Sequence, residues 1–405
     1  MHVAVVSYTF PPSREIGGRR WAKFSQQLAR LGHRVSVVCA DNGAQTGWYR
    51  DAFPDLEVTV LLRRYPDWLS GQTRHIGEKL AYHLLTRVAS RFLPQNWFDK
   101  GLAWKSEMLG ALEAIHGQKP IDVLVVTGAP FSTLAWGAAF KIKYPKIRYV
   151  ADMRDPWTWG HGYGMPGLNP KQKAYQAAQE RLAVESCDLL CFPAPVMGEV
   201  LAAKYPQARA KMHMLPHAYD PDKFPATDAT GARQGFIYGG TLYNGMEPWF
   251  RDLAEILREH PQCGFHWDIY SGTAYPLISE LFPQGQVSLK APVSEEMLFA
   301  QITRARAYML FFPERYKDFI STKFYEVVYT GTPFVYIGYP GEVSRFITEN
   351  RLGVHILPEE MRERLPAFLN GDIPFEPGFF PIEKYSFPVV TQEFLQALSS
   401  VENPV

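Results

Sequence analysis

The sequence predicts an α/β protein built from two doubly wound domains in tandem. Three observations carry this. Short apolar, β-rich runs alternate with helical patterns almost from end to end. A polar, proline-containing stretch interrupts the alternation once, near the middle. The 405-residue length is enough for two domains that each bury a core.

The runs come in order. In the first half they are HVAVVSY (2–8), RVSVVCA (34–40), EVTVLLRR (57–64), IDVLVVTG (121–128), IRYVADM (147–153), DLLCFPA (188–194) and HMLPHA (213–218). Continuous apolar strands separated by helices indicate a parallel sheet covered on both faces. After Gly17-Gly18, Trp21, Phe24, Leu28 and Leu31 recur at helical spacing, and Gly32 is placed to end that helix. DPDKFPATDATGARQ (220–234) has no apolar period and reads as the linker. The alternation restarts with GFIYGGTL (235–242), FHWDIYSG (265–272), VSLKA (287–291), YMLFF (308–312), PFVYIGY (333–339) and GVHIL (353–357). Residues 384–400 read as a terminal helix. The expected domains are therefore 1–219 and 235–380, with 381–405 a final segment that crosses back to the first domain. Doubly wound sheets bind ligands outside the carboxyl ends of their strands, so two of them facing each other predict a central cleft.

Composition excludes several classes. No apolar run reaches the roughly 18–20 residues needed to span a bilayer. The start, MHVAVVSYTF, enters a strand-like run without a charged leader, so no cleaved signal is expected. Four cysteines are too scattered for a disulfide framework. Cys187 and Cys191 read as buried packing rather than a zinc site, and a reducing cytoplasm fits. No Gly-x-Gly-x-x-Gly follows the first strand, which disfavours nicotinamide and flavin, and no Walker-type loop is present. His161, His213 and His217 lack metal-ligand spacing and no Asp-x-Asp pair lies in an expected loop, so neither metal nor cofactor is expected. The chain carries no recognisable nucleic-acid-binding module.

Net charge is +1, but it is divided. Residues 1–217 hold 27 Lys and Arg against 17 Asp and Glu, a balance of +10, and residues 218–405 hold 15 against 24, a balance of −9. Either the domains attract each other, or the basic half meets an anionic acceptor or membrane surface. In HIGEKLAYHLLTRVASRFL (75–93), Ile76, Leu80, Leu84, Val88 and Phe92 form one stripe, with Lys79, Arg87 and Arg91 mostly on other faces. It reads as a helix packed on the first domain or as an acceptor or membrane-surface element.

The chemistry-bearing segments are few. Gly17-Gly18 sits just before a helix, where backbone N–H groups and the dipole favour an anion, or is a plain turn. In STKFYEVVYTGTPFVYIG (321–338), Ser321 can cap a helix that turns Phe324, Val327 and Val328 inward, Gly331 ends it and Pro333 opens a strand. Lys323 stands in its first turn, unfavourable against the dipole unless an anion binds there. The N–H groups near Ser321, Thr322 and Lys323 can hold a diphosphate, and the Glu326 carboxylate can accept two hydroxyl hydrogen bonds, as a ribose diol requires.

This segment resembles the donor-binding signature of the large retaining GT-B glycosyltransferase family (glycosyltransferase family 4-like, "glycosyl transferases group 1"), here as Ser321, Lys323, Phe324, Glu326, Gly331 and Pro333. Further resemblances run in the family's order: Phe10-Pro11-Pro12, Gly17-Gly18, Gly32-His33-Arg34-Val35, TGAPFS (127–132), DMRDPW (152–157), ERLAVESCDLL (180–190), HMLPHAYDPDKF (213–224) and GGTLY (239–243). The resemblance implies the GT-B architecture of two Rossmann-like domains. It implies a UDP- or GDP-sugar donor, transfer with retention, and a glycan, glycolipid or small-molecule acceptor. It assigns Glu326 to the ribose and the acid eight residues earlier, here Asp318 rather than Glu, to the transferred sugar. Gly240 and Thr241 fall in the donor-side loop. The Arg and Lys often found after the first strand of the second domain are absent from GGTLYNGMEPW (239–249), leaving Arg315, Lys317, Arg19 or Arg154 to substitute. Arg154 and Asp155 stand where many relatives place a His near the reacting sugar. Arg154 could neutralise the leaving diphosphate or belong to a structural Arg–carboxylate network. Asp152, Phe131 and Ser132 fall on the acceptor side. The same architecture also houses sugar-nucleotide epimerases, and a non-catalytic sugar-nucleotide binder is the alternative outside enzymes.

Overall fold

The computed structural model describes residues 1–13, 16–44, 47–65, 76–162, 164–222, 233–369 and 378–401. Residues 223–232, most of the expected linker, lie outside that set, as does Arg74. The chain forms two compact units, one of Met1–Pro216 with Val390–Val405, the other of His217–Val389.

Unit 1 holds seven strands: β1 (His2–Val6), β2 (Arg34–Ala40), β3 (Glu57–Leu61), β4 (Val123–Gly128), β5 (Arg148–Met153), β6 (Leu189–Phe192) and β7 (Met212–Met214). They pair in the order β3-β2-β1-β4-β5-β6-β7, every pair parallel. Its helices are α1 (Ile16–Arg30), α2 (Trp48–Ala52), α3 (Ile76–Phe92), α4 (Lys105–Gln118), α5 (Ser132–Lys143), α6 (Pro170–Ser186) and α7 (Pro195–Lys204). All five residues of β1 and all six of β4 are buried. That is the reason these strands read as unbroken apolar runs, since a parallel sheet is covered on both faces. Trp104, Tyr149 and Trp157 fill the core. Gly32 ends α1 at φ +82°, a left-handed conformation that favours glycine.

Unit 2 holds β8 (Phe236–Gly239), β9 (Trp267–Tyr270), β10 (Val287–Lys290), β11 (Ala307–Phe312), β12 (Phe334–Gly338) and β13 (Gly353–Ile356), in the order β10-β9-β8-β11-β12-β13, again all parallel. Its helices are α8 (Glu247–Glu259), α9 (Pro276–Leu281), α10 (Glu295–Arg304), α11 (Thr322–Tyr329), α12 (Glu342–Glu349) and α13 (Met361–Arg364). Phe250, Trp267 and Phe311 pack together at the core, their ring centroids 5.0–5.8 Å apart. The last helix, α14 (Phe387–Ser400), places Phe394 edge-on to Trp21 at 5.9 Å. Its Leu398 carbonyl accepts from Arg148 Nη1 at 3.1 Å.

All thirteen expected strands are present, and each sheet reverses its strand order once, between β1 and β4 in unit 1 and between β8 and β11 in unit 2. In sheets of this kind the reversal opens the crevice that holds ligands. Among the described residues the expected stripe on α3 does not pack on unit 1; the Ile76 side chain lies outside that set. Leu80, Leu84, Leu85, Val88 and Phe92 are all exposed, so the reading of that helix as an ordinary packed element is corrected.

Candidate functional site

In unit 1 the reversal is bridged by Arg154, the first residue after β5. Its Nη2 donates to the Ala129 carbonyl, in the loop after β4, at 2.8 Å. Its guanidinium lies against Gly17. A Cβ placed on Gly17 would fall 1.2 Å from Arg154 Nη1, so only glycine admits this contact. Gly17 and Gly18 lie inside the first turn of α1 rather than before it. Gly18 lets that turn close on the backbone after β1, since a Cβ there would come 2.7 Å from the Thr9 carbonyl oxygen. Arg154 Nε stands 3.4 Å from the Asp155 carboxylate. Its side chain is only 9% exposed, and Nη1 is buried without a hydrogen-bond partner among the described residues. A buried guanidinium at a helix start, with donor capacity in hand, is an arrangement suited to an anion.

The neighbouring residues expected on the acceptor side are committed to structure. Asp152 is fully buried and accepts from Trp21 Nε1 at 2.6 Å, Thr127 Oγ1 at 2.9 Å and Arg20 Nη2 at 3.3 Å. Arg20 also donates to the carbonyls of Pro216 and Leu215. This is the Arg–carboxylate network at a strand end, with Arg20 rather than Arg154 as its arginine. Phe131 is 1% exposed and stacks on Trp157 at 5.2 Å. Ser132 offers its N–H and hydroxyl to Asp99 at 2.8 and 2.9 Å. Burial pushes the Asp99 carboxyl up despite these bonds. Sequence reading missed Arg20 and Asp99. The signal for Arg20 was its place one residue before Trp21, on the inward side of an amphipathic helix.

In unit 2 the corresponding place is the end of β8. Lys323, in the first turn of α11, donates from Nζ to the Gly239 carbonyl at 2.8 Å. Tyr308 of β11 brings its hydroxyl to the same residue, accepting from Gly239 N at 3.1 Å and donating to Gly239 O at 3.0 Å. Burial raises the Tyr308 phenol, and the nearby Glu326 carboxylate raises it further. Lys323 thus meets the turn that opens at Gly239, and Glu326, three positions on and a neighbour on the same helical face, lies near Tyr308. Gly240 N donates to the Tyr270 carbonyl at 3.0 Å, and Tyr238 donates to the Thr241 carbonyl at 2.9 Å. The Gly240–Thr241 backbone is therefore held from two sides. Tyr308 was missed because it stands in an apolar strand. A tyrosine there still has to satisfy its hydroxyl, and that was the available signal.

One expectation on α11 is corrected. Ser321 occupies the N-cap position with an extended backbone, but its hydroxyl makes no capping bond, so it does not close off the first-turn amides. Thr322 Oγ1 lies 3.5 Å from His217 Nδ1. Asp318 accepts from the Glu342 backbone N–H at 2.9 Å and so caps α12. Gly341 precedes that helix and has no side chain for the purpose. Asp318 also bears on Tyr336, whose phenol is raised first by burial and then by this carboxylate. Arg315 lies over the Tyr316 ring and Lys317 pairs with Glu314, so neither converges on Gly239 by a described contact. Among the described residues, no group of three or more His, Cys, Asp or Glu side chains could hold a metal ion, and no helix is long and apolar enough to cross a membrane. Cys187 and Cys191 are buried, and burial pushes the Cys187 thiol to about 12.

Residues 17–218 match the family model described as "Glycosyl transferase 4-like domain". No curated protein matches the chain by sequence. Among solved structures, the chain is similar to a glycosyltransferase from Rickettsia africae, with 10% identity, TM-score 0.63 and coverage of 99% of this chain and 98% of that one. It is similar to an α,α-trehalose 6-phosphate synthase from Burkholderia multivorans, with 13% identity, TM-score 0.61 and coverage of 99% and 98%. It is also similar to a UDP-GlcNAc 2-epimerase from Methanocaldococcus jannaschii, with 11% identity, TM-score 0.54 and coverage of 98% and 99%. At such identities these likenesses speak for the fold. With two parallel Rossmann-like units and a glycosyl transferase 4-like domain over residues 17–218, the chain belongs to the GT-B glycosyltransferase family.

Proposed function

We propose that the chain transfers a sugar from a nucleotide-sugar, UDP-linked rather than GDP-linked, to a glycan, glycolipid or metabolite, with retention of configuration. The observation that carries this reading is the contact of Lys323 with the Gly239 carbonyl at the strand-order reversal of unit 2, with Glu326 on the same helical face and near Tyr308. Glu326 would accept the ribose hydroxyls. Lys323, a cation in the first turn of α11, would meet the diphosphate together with the first-turn amides around Ser321 and Thr322. The turn at Gly240 and Thr241 would lie beside them. Asp318 would read the transferred sugar with the carboxylate oxygen left over from capping α12.

In unit 1, Gly17, Gly18 and Arg154 would hold a phosphate-bearing group. Arg154 would stabilise negative charge as it develops, with Asp155 orienting the guanidinium. The basic balance of this half is the reason for proposing that the acceptor, or the surface that carries it, is anionic. Retention rests on the family resemblance alone.

The experiment is donor binding followed by turnover. Calorimetry with UDP, GDP and their sugars ranks the nucleotide. Slow hydrolysis of the preferred sugar-nucleotide without acceptor supports a transferase over a binder. The epimerase in the same fold makes one rival concrete, and it is separated by product: an epimerised sugar still linked to nucleotide contradicts transfer.

A further inference from the structure

α3 presents a face that nothing among the described residues covers. At about 100° per residue, Leu80, Ala81, Leu84, Leu85, Val88 and Phe92 fall within about 140° of its circumference. Leu80 is 68% exposed, Leu84 65% and Phe92 67%. Large apolar side chains of a monomer are scattered over its surface, and a contiguous run along one helix face marks an interaction surface. The apolar surface continues past the helix. Leu93, also exposed, lines a cavity of about 700 Å³ whose other walls include Tyr65, Trp97, Trp136 and Leu182.

The charges along this face select its partner. Arg87 borders one edge of the apolar arc, Arg91 stands just inside that edge and Lys79 lies further round, and all three are exposed. Lys171, exposed at the start of α6, donates to the Phe92 carbonyl at 3.3 Å and adds a fourth cation at the end of the helix. Glu78 is the one carboxylate on α3. A second copy packed face to face would set this cationic edge beside its own like. A bilayer of anionic lipids offers the complement of both features, an apolar layer for the stripe and negative headgroups for the arginines, which can bury their stems and keep their heads at the surface.

We propose that α3 is a membrane-surface element, lying in the interface of an anionic bilayer with Leu84, Val88 and Phe92 facing the acyl layer. As a statement about where an acceptor is met, this rests on the transferase reading above; as a statement about binding, it does not.

The test is flotation of the full chain with vesicles of phosphatidylcholine alone and of phosphatidylcholine mixed with phosphatidylglycerol, at low and high salt, without donor. The wild type is expected to bind the mixed vesicles and to weaken as salt rises. Leu84→Gln with Phe92→Gln, at positions exposed enough to leave the fold intact, is expected to lose binding by more than tenfold. Arg87→Gln with Arg91→Gln is expected to lose about fivefold per charge and to flatten the salt dependence. No binding to mixed vesicles, or equal binding by the Leu84/Phe92 variant, overturns the proposal. So does a dimer in sedimentation equilibrium that the same variant abolishes while vesicles remain unbound, since the face then belongs to a second copy. Donor binding measured on the same preparations separates the two readings: vesicle binding without UDP binding leaves the membrane element standing and removes the transferase, and the reverse result removes only the membrane element.

Discussion

The Arg154 guanidinium occupies the place of a side chain on Gly17, its Nη1 1.2 Å from where a Cβ would stand. One consequence is a steric test of the unit 1 site. Gly17→Ala forces the guanidinium out of its place, at a cost of about 1–3 kcal/mol for overpacking, and turnover falls with it. Arg154→Ala also lowers turnover but leaves room. The double variant should therefore cost less in stability than the two singles together, because the clash disappears with the arginine. Additive stability losses in urea unfolding would mean that the two residues do not touch.

Asp152 is expected to behave as a structural residue. Removing its carboxylate strands the buried Arg20 guanidinium and leaves Trp21 Nε1 and Thr127 without their acceptor. Asp152→Ala should destabilise by about 3–5 kcal/mol, with Asp152→Asn milder because one acceptor oxygen survives. Chemical denaturation decides it. A fully stable Asp152→Ala protein with lost turnover would move Asp152 back to the reacting groups.

For Asp318 the cap and the sugar contact separate by substitution. Asp318→Ala loses the bond from the Glu342 N–H and should cost about 1 kcal/mol. Asp318→Asn keeps a capping acceptor, so the stability loss should be small. If the carboxylate also reads the sugar, Asp318→Asn weakens the sugar-nucleotide more than free UDP. Equal weakening of the two leaves Asp318 as a cap alone.

The strands were legible because a parallel sheet buried on both faces demands unbroken apolar runs, which no other local structure requires so regularly. Their ends were not, since burial outlasts pairing: Tyr8 and Phe10 are buried beyond the last residue of β1. The same limit shaped the sites. Ser321 has the residue type of a cap, but type does not fix the hydroxyl's direction. Asp318 caps a helix that starts 24 residues later, and Lys323 meets a carbonyl 84 residues away. Neither partner is visible at local spacing. Asp152 and Arg154 are two residues apart, yet a buried network takes one and an open donor marks the other, because β5 ends between them. The stripe on α3 announced an apolar face without saying what meets it.

Nucleotide binding at unit 2 is the claim on which the account turns, and calorimetry of UDP with the wild type, Glu326→Ala and Lys323→Ala tests it most directly. Losing hydrogen bonds to a charged group costs about 1.5–3 kcal/mol, so Glu326→Ala should raise the Kd by roughly 10- to 150-fold. Lys323→Ala should weaken UDP more than uridine, since the ammonium is assigned to the phosphates. A folded Glu326→Ala protein that binds UDP as tightly as the wild type contradicts the account.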